Sequence, residues 1–301
     1  MNENMHIHLE ENIMQRPVAV GLGEVLWDIF PNGAKFGGAP ANFAYHAAAL
    51  GAESHIVSAV GRDTLGEQAT DFLQKRNIDT TLLAIVQNYP TGTVPITLDD
   101  AGVPSYKITQ NVAWDAIPWS DDLEDLAART DIVCFGSLGQ RSLISKTTIR
   151  RFIASVPKTS LRIFDVNLRQ HYYNTEILES SLLASNVLKL NEDEAPIVAE
   201  LCGISVQDEV DAAVALREKF SLDIVALTLG PQGAKLVDRN KTDYCLSPQI
   251  EVVDTVGAGD AFTAALALGL YAGNPLDMIN CDACWIAAGV CNHAGATPEL
   301  P

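Results

Sequence analysis

Positive charge is scarce in this chain: 20 Lys and Arg stand against 38 Asp and Glu over 301 residues, a formal net charge of −18. That balance sets the mean field of the molecule against nucleic acid and against an anionic membrane surface, so neither is expected as a partner. A nucleotide substrate has to meet local, not global, positive potential. Long apolar runs are also missing, since none reaches the about 18 residues that a spanning helix needs. The first 16 residues carry Glu3, Glu10 and Glu11 and lack a basic stretch followed by an apolar one. The expectation is a cytoplasmic protein with a frayed tail over 1–16, in which a metal-binding role for His6 and His8 is the lesser reading.

Cysteine spacing excludes a secreted disulfide framework. Cys134, Cys202, Cys245, Cys281, Cys284 and Cys291 are scattered or confined to one late helical pattern, and reduced thiols are expected. Cys281-Asp282-Ala283-Cys284 has the C-x-x-C form, but no second pair follows at zinc-finger spacing and its flanks are buried-helix material. Two nucleotide signatures are absent as well. Val18–Gly23 reads as a strand ending in glycines, yet Leu26 stands where a dinucleotide fold needs its third glycine, and no helix starts there. Gly230-Pro231-Gln232-Gly233-Ala234-Lys235 comes nearest to a Walker A run without satisfying it. With no repeat, low-complexity run or linker, residues 17–301 are expected to form a single domain.

What is present is an alternation of short apolar runs with helix-forming stretches. The pattern predicts an extended piece at Glu24–Phe30, an Ala-rich helix at Ala41–Leu50 closed by Gly51, a strand at Ser54–Val60 and a helix at Thr64–Arg76. The βαβ rhythm then breaks. Leu82–Val86, Thr93–Leu98 and Ser105–Thr109 read as short strands, with Asp99-Asp100-Ala101-Gly102 as a hairpin loop. Joined to the extended piece they imply a discontinuous lid from about 24–36 and 82–110 that closes to exclude water; a surface hairpin with no gating role is the plainer alternative. Strands resume at Ile132–Phe135, Arg162–Val166, Val187–Leu190 and Ile224–Thr228, and Pro275–Ala294 reads as a final apolar helix. This is an α/β pattern with a mostly parallel sheet.

The chemistry collects at a few places. In Asp254-Thr255-Val256-Gly257-Ala258-Gly259-Asp260 the backbone is bare just before a run of strong helix formers, so several N–H groups converge where the helix dipole favours an anion. Asp260, one turn in, then reads as a general base on a substrate hydroxyl; an ordinary Gly-rich loop with an N-terminal Asp is an equal alternative. Asp165, Asn167, Arg169, Asn191, Glu194 and Thr228 fall at the C-terminal ends of strands, the edge where open α/β sheets bind ligands. The Arg169 fork suits phosphate oxygens, or a salt bridge to Asp165. Glu194 cannot face phosphates without a cation, so Mg²⁺ and its waters are expected between them; complementing a helix dipole is the other reading. Thr228, Gly230 and Gly233 form a tight turn whose bare backbone suits a nucleotide, and Asn191 precedes Glu194 on its strand-to-helix turn.

These residues also carry a resemblance. The run from Asp254 to Phe262 is similar to the C-terminal signature of the PfkB (ribokinase-like) carbohydrate kinases, and Gly37-Gly38-Ala39-Pro40-Ala41-Asn42-Phe43-Ala44 resembles their N-terminal one. Between them Asp165-Val166-Asn167-Leu168-Arg169, Asn191-Glu192-Asp193-Glu194 and Thr228-Leu229-Gly230-Pro231-Gln232-Gly233 each resemble a family landmark, in order. Gly23 to Asp28, Phe135 to Leu138 and Asp165 to Tyr173 look most like the fructokinase branch. The resemblance implies a ribokinase-like three-layer α/β/α fold with a small β-sheet lid. It also implies ATP and Mg²⁺ as cofactors, with a monovalent cation such as K⁺ as an extension. Asp260 becomes the catalytic base and Gly257, Ala258 and Gly259 the anion hole. Asp28, Gly38 and Asn42 hold the sugar, with Gly37, Asn167 and Arg169 on the same side. Asn191, Thr228, Gly230, Gly233 and Asn292 attend the nucleotide, and Glu194 the metal. The implied partners are a small sugar and ATP, with the lid sheet as a homodimer surface.

The implied activity is phosphorylation of fructose to fructose 6-phosphate. Ribokinases of the family typically have Gly-Gly-Lys-Gly-Ala-Asn where this chain has Gly-Gly-Ala-Pro-Ala-Asn, which argues against ribose. A 2-keto-3-deoxy sugar acid or a sugar phosphate needs a further cation near the lid, and Lys35, Arg141 and Arg169 are the candidates. A non-catalytic sugar or nucleotide sensor would share the fold without needing Asp260, the glycine seat and Glu194 together. A nicotinamide oxidoreductase would need the missing glycine motif.

Overall fold

The computed structural model describes residues 16–31, 33–98 and 104–299. Its elements in chain order are β1 (Val18–Leu22), β2 (Leu26–Phe30), β3 (Gly33–Gly37), α1 (Ala39–Ala49), β4 (Glu53–Gly61), α2 (Thr64–Gln74), β5 (Leu83–Val86), β6 (Gly92–Leu98) and β7 (Pro104–Tyr106). There follow α3 (Asp121–Ala128), β8 (Ile132–Phe135), α4 (Leu143–Ser155), β9 (Leu161–Asp165), α5 (Thr175–Ala184), β10 (Val187–Asn191), α6 (Glu194–Leu201) and α7 (Glu209–Phe220). The chain closes with β11 (Ile224–Thr228), β12 (Ala234–Val237), β13 (Thr242–Cys245), α8 (Ala258–Tyr271) and α9 (Leu276–Cys291).

Nine strands form one sheet in the order β13-β12-β11-β10-β9-β8-β1-β4-β5. It is parallel from β5 through β11 and antiparallel only at β12 and β13. The middle strands are apolar without alternation, VAVGL in β1 and IVCF in β8, because helices bury both faces. On one face Leu126, Phe152, Leu182, Val198 and Leu216 of α3 to α7 pack against Val20, Phe135 and Phe164. On the other Phe43 of α1, Phe262 of α8 and Ile279 of α9 pack against Ala19, Ile132 and Ile163. The result is the expected three-layer α/β/α arrangement with a mostly parallel sheet. No helix among the described residues is long and apolar enough to cross a membrane.

A second sheet of four strands, β3-β2-β6-β7, stands at the C-terminal edge of the first. Its base is fixed to α2: the Phe36 and Phe72 rings stack at 4.3 Å, Trp27 meets Phe36 edge-on at 5.4 Å, and the Trp27 indole donates to the Leu65 carbonyl. The expected lid is corrected in one part. Residues 83–86 belong to the main sheet, where β5 pairs in parallel with β4 (Ser58 opposite Leu83) and completes a β4-α2-β5 unit. A short edge strand cannot be told from a lid strand by its own composition. The hairpin loop expected at Asp99 to Gly102 and the tail with His6 and His8 lie outside the described residues. Helix α1 begins at Ala39, two residues before the expected start, because Pro40 fits a first turn whose amides need no helical partner.

The expectation of six reduced thiols is also corrected. Packing α9 beside β13 brings Cys245 and Cys281 to a Cα separation of 5.4 Å, and the two are joined as a disulfide across 36 residues. Cys134, Cys202, Cys284 and Cys291 are free. Denatured without reductant, the protein is expected to titrate four thiols with Ellman's reagent, and two more after reduction. Six thiols before reduction in protein purified without reductant would remove the bridge.

Candidate active site

Helix α8 starts without a side-chain cap. Helices α2, α3, α5 and α7 open on Asp63, Ser120, Asn174 and Asp208, whose side chains accept from first-turn amides. At α8 the N-cap is Gly257, left-handed at φ 82 and without a side-chain cap. Only glycine fits: a Cβ there would fall 2.4 Å from the Ala296 carbonyl oxygen. Asp254 braces the approach, accepting from Val256 N at 3.1 Å and Gly295 N at 2.9 Å. The Ala258 amide turns back to the Thr255 carbonyl at 3.3 Å, so of the expected anion hole it is the member already occupied. The first-turn amides of Gly259 and Asp260 have no helical carbonyl behind them and stay available to an anion.

Asp260 sits on that first turn, and its Oδ2 accepts from Asn42 Nδ2 of α1 at 2.8 Å. Desolvation and the neighbouring Asp165 carboxylate push its pKa up to about 7, against the pull of the Asn42 bond and of Lys189 and Arg169. Beneath the turn lies a buried ion pair, Lys189 Nζ to Asp165 Oδ1 at 3.1 Å, with both side chains about nineteen-twentieths enclosed. Thr263 completes it, donating to Asp165 Oδ2 at 2.9 Å from within hydrogen-bond reach of the Gly259 carbonyl. A Cβ on Gly259 would fall 2.9 Å from Lys189 Nζ, so the ammonium lies directly under the seat. Burial opposes the Lys189 charge, but Asp165, Glu194 and Asp260 outweigh it and hold its pKa up.

Facing this floor, β2 of the lid presents Asp28. A Cβ on Gly37 would lie 3.0 Å from Asp28 Oδ2, and one on Gly38 only 2.4 Å from the Glu24 carbonyl, so bare backbone closes the corner. Desolvation raises Asp28 to about 6, eased by Arg169 and Lys35. Glu24 is likewise pushed up by burial, with Arg169 and Arg141 among the groups drawing it back. The charge of Arg169 therefore reaches Glu24, Asp28 and Asp260 alike. Asn42 Oδ1, Asn167 Nδ2 and Glu24 Oε2 are buried with no protein partner, two acceptors and a donor matched to hydroxyl groups.

Residues 30–301 match the pfkB family carbohydrate kinase profile. The chain belongs to this family of carbohydrate kinases. An uncharacterized sugar kinase of Pyrococcus horikoshii is 32% identical over 249 residues, covering 81% of this chain and 76% of the relative. The crystal structure of that protein in complex with ATP superposes with a TM-score of 0.80 at 29% identity, over 94% of this chain and 95% of the other. A fructokinase of Salmonella typhimurium is 28% identical over 291 residues, 92% of each chain. A fructokinase of Xylella fastidiosa, 19% identical, shares the fold at a TM-score of 0.83 over 94% and 95% of the two chains.

In this carbohydrate kinase the expected site residues divide. Asn42 and Asp260 are joined directly, Asp28 and Gly37 are in contact across the lid hairpin, and Arg169 Nη2 donates to Asn167 Oδ1 at 3.0 Å. The salt bridge considered between Arg169 and Asp165 is absent; Asp165 is taken by Lys189, and the exposed Arg169 turns to Asn167 and the Leu168 carbonyl. Glu194 is anchored by the backbone. Its Oε1 accepts from Leu168 N at 2.9 Å and its Oε2 from Asn191 N at 3.0 Å, and with 5% of the residue exposed it ties the segment after β9 to the end of β10, each oxygen keeping a lone pair for a further donor. Asn191 spends its Oδ1 on the amides of Asp193 and Glu194. Thr228 stands opposite Asn191 in the β10–β11 register, with its hydroxyl 3.4 Å from the Leu190 carbonyl. Gly230 and Gly233 are left-handed at φ 53 and 95, as the turn requires, and Asn292 caps the C-terminus of α9 from an exposed position. Lys189, Thr263, Glu24 and His46 were missed by the sequence reading. A lone Lys inside the apolar strand VLKL was the available signal for the first.

Proposed function

We propose that this kinase transfers the terminal phosphoryl group of ATP to a hydroxyl of a neutral sugar, with fructose as the first candidate. The observation that carries the reading is Asp260, a carboxylate with a pKa of about 7 on the same uncapped helical turn whose amides are open to an anion. Asp260 accepts the hydroxyl proton, and Asn42 fixes the carboxylate that does so. The Gly259 and Asp260 amides and the α8 dipole stabilise charge on the phosphoryl oxygens, so positioning and electrostatics supply most of the rate. Mg²⁺ would neutralise phosphate charge; no cluster of three His, Cys, Asp or Glu able to hold a metal exists among the described residues, so the ion is taken to arrive with the nucleotide.

Charge balance favours a neutral sugar. Arg141 is bidentate to Asp115 at 2.8 Å, Lys35 lies 3.7 Å from Asp254, and Lys189 is paired with Asp165. Of the described cations that act on Glu24, Asp28 and Asp260, Arg169 is the one without a carboxylate partner of its own, so a carboxylate or phosphate on the acceptor meets more acidic groups than free positive ones. The names of the fructokinase relatives and the Ala39-Pro40 dipeptide agree with fructose over ribose. The experiment is ADP release with Mg-ATP against fructose, ribose, glucose, a 2-keto-3-deoxy acid, fructose 6-phosphate and adenosine. Turnover confined to fructose is expected. Turnover confined to an acid or a phosphate overturns the charge argument, and silence across the panel with ATP still bound favours the sensing protein.

A further inference from the structure

Helix α1 carries a second buried side chain that the reaction does not use. His46 is fully enclosed, one turn beyond Asn42, so the two share a helix face. Its Nε2 lies 2.9 Å from the Ala296 carbonyl oxygen. A carbonyl can only accept, so Nε2 carries the proton, and Nδ1 is then a bare nitrogen, which agrees with its having no partner. Burial holds the ring neutral, with its pKa down to about 4. The carbonyl gripped by His46 is the same one that packs on the α8 N-cap: Ala296 O, Cα and Cβ would meet a Cβ on Gly257 at 2.4, 2.6 and 2.7 Å. Tyr45 OH donates to the Pro298 carbonyl at 2.9 Å and Gly295 N donates to Asp254, so the 295–298 strap is tied along its length.

We propose that His46 is a positioning residue for the phosphoryl seat: its Nε2–H holds the Ala296 carbonyl against Gly257 and so keeps the N-terminus of α8 in register with the Asn42–Asp260 pair. Two residues on one face of α1 then clamp that terminus, Asn42 through the Asp260 side chain and His46 through the backbone of Gly257. The inference rests on the reading of the α8 terminus as the phosphoryl seat. It assigns His46 to nucleotide placement, separate from the sugar contacts of the same helix.

The test compares His46→Phe, His46→Asn and His46→Gln by calorimetric titration with Mg-ATP in the absence of sugar, and by kcat and KM for each substrate. Gln places its amide nitrogen where Nε2 lies and can keep the bond; Asn places it at the Nδ1 position and Phe has no donor. The Phe and Asn variants are expected to lose about tenfold in Mg-ATP affinity and to raise its KM alike, as losing about one hydrogen bond from a displaced seat amide to a charged phosphate oxygen costs. The sugar KM stays put, and Gln restores the wild-type values. A purely structural role lowers Tm while leaving the Mg-ATP affinity of the folded variants unchanged, which overturns the proposal, as does a Gln variant as impaired as Phe. If the Phe variant does not fold, equal Mg-ATP affinities for Asn and Gln overturn it. Gly257→Ala is the control. If it also leaves Mg-ATP binding intact, the seat itself is misread; if it weakens binding and the His46 variants do not, only the role of His46 falls.

Discussion

Replacing Asp260 with Asn is expected to lower kcat by about 10²-fold or more while Mg-ATP binding is retained. The substitution keeps shape and leaves the seat amides in place, since these belong to the backbone of α8. It removes the one group on that turn that can take a proton. The pH dependence gives the same prediction a second reading. A base with a pKa near 7 is protonated and idle below that pH, so kcat/KM of the wild type rises with pH through about 7. The slope below the midpoint is about tenfold per pH unit for a single proton, and in the Asn variant the residual rate loses this limb. Near-normal turnover in the variant, or an unchanged limb, removes Asp260 from the role.

Lys189→Met is expected to destabilise the fold by about 3–5 kcal/mol, because it strips the counter-charge from a buried Asp165. Thr263 donates a single bond to that carboxylate, which is not enough to solvate it. Urea unfolding of the Met variant should show the loss directly. The companion change is informative: Asp165→Asn in the Met background removes the orphaned charge as well, and recovery of most of the stability is expected. A loss under about 1 kcal/mol in the single variant would mean that Asp165 does not depend on the Lys189 counter-charge. The two predictions are linked, since Lys189 also pulls down the pKa of Asp260 from directly beneath the seat.

Much of this arrangement could be read from the chain because the signals are local. Non-alternating apolar runs declare buried parallel strands, and Gly257 and Gly259 ahead of an Ala-rich run declare an open helix start. The pairing of Asn42 with Asp260 joins residues 218 apart in sequence and was reachable only through the family motifs that contain them. Other features depend on partners that no local pattern encodes. Whether residues 83–86 join the lid or the main sheet is settled by β4, and Cys245 meets Cys281 only because α9 lies beside β13. The backbone anchors of Glu194 were hidden for a related reason. A carboxylate at a strand end looks the same in sequence whether it faces a ligand or two amides, and the Leu168 amide follows β9 whereas that of Asn191 ends β10.

The path of the chain at the lid has a consequence for how such a protein can change. Gly38 alone separates β3 from α1, and Gly23 to Val25 alone separate β1 from β2, so the lid hairpin is spliced between a central strand and the helix that holds Asn42. Asp28 rides on the spliced segment, whereas Asp260, Lys189 and the glycine seat belong to the main body. In the proposed reaction the lid carboxylate Asp28 and the transfer group Asp260 thus sit on separate parts of the fold, joined through Gly38 and the segment Gly23 to Val25. Sequence drift in β2, β3, β6 and β7 would alter the surroundings of Asp28 while leaving the α8 terminus and its buried floor unaltered.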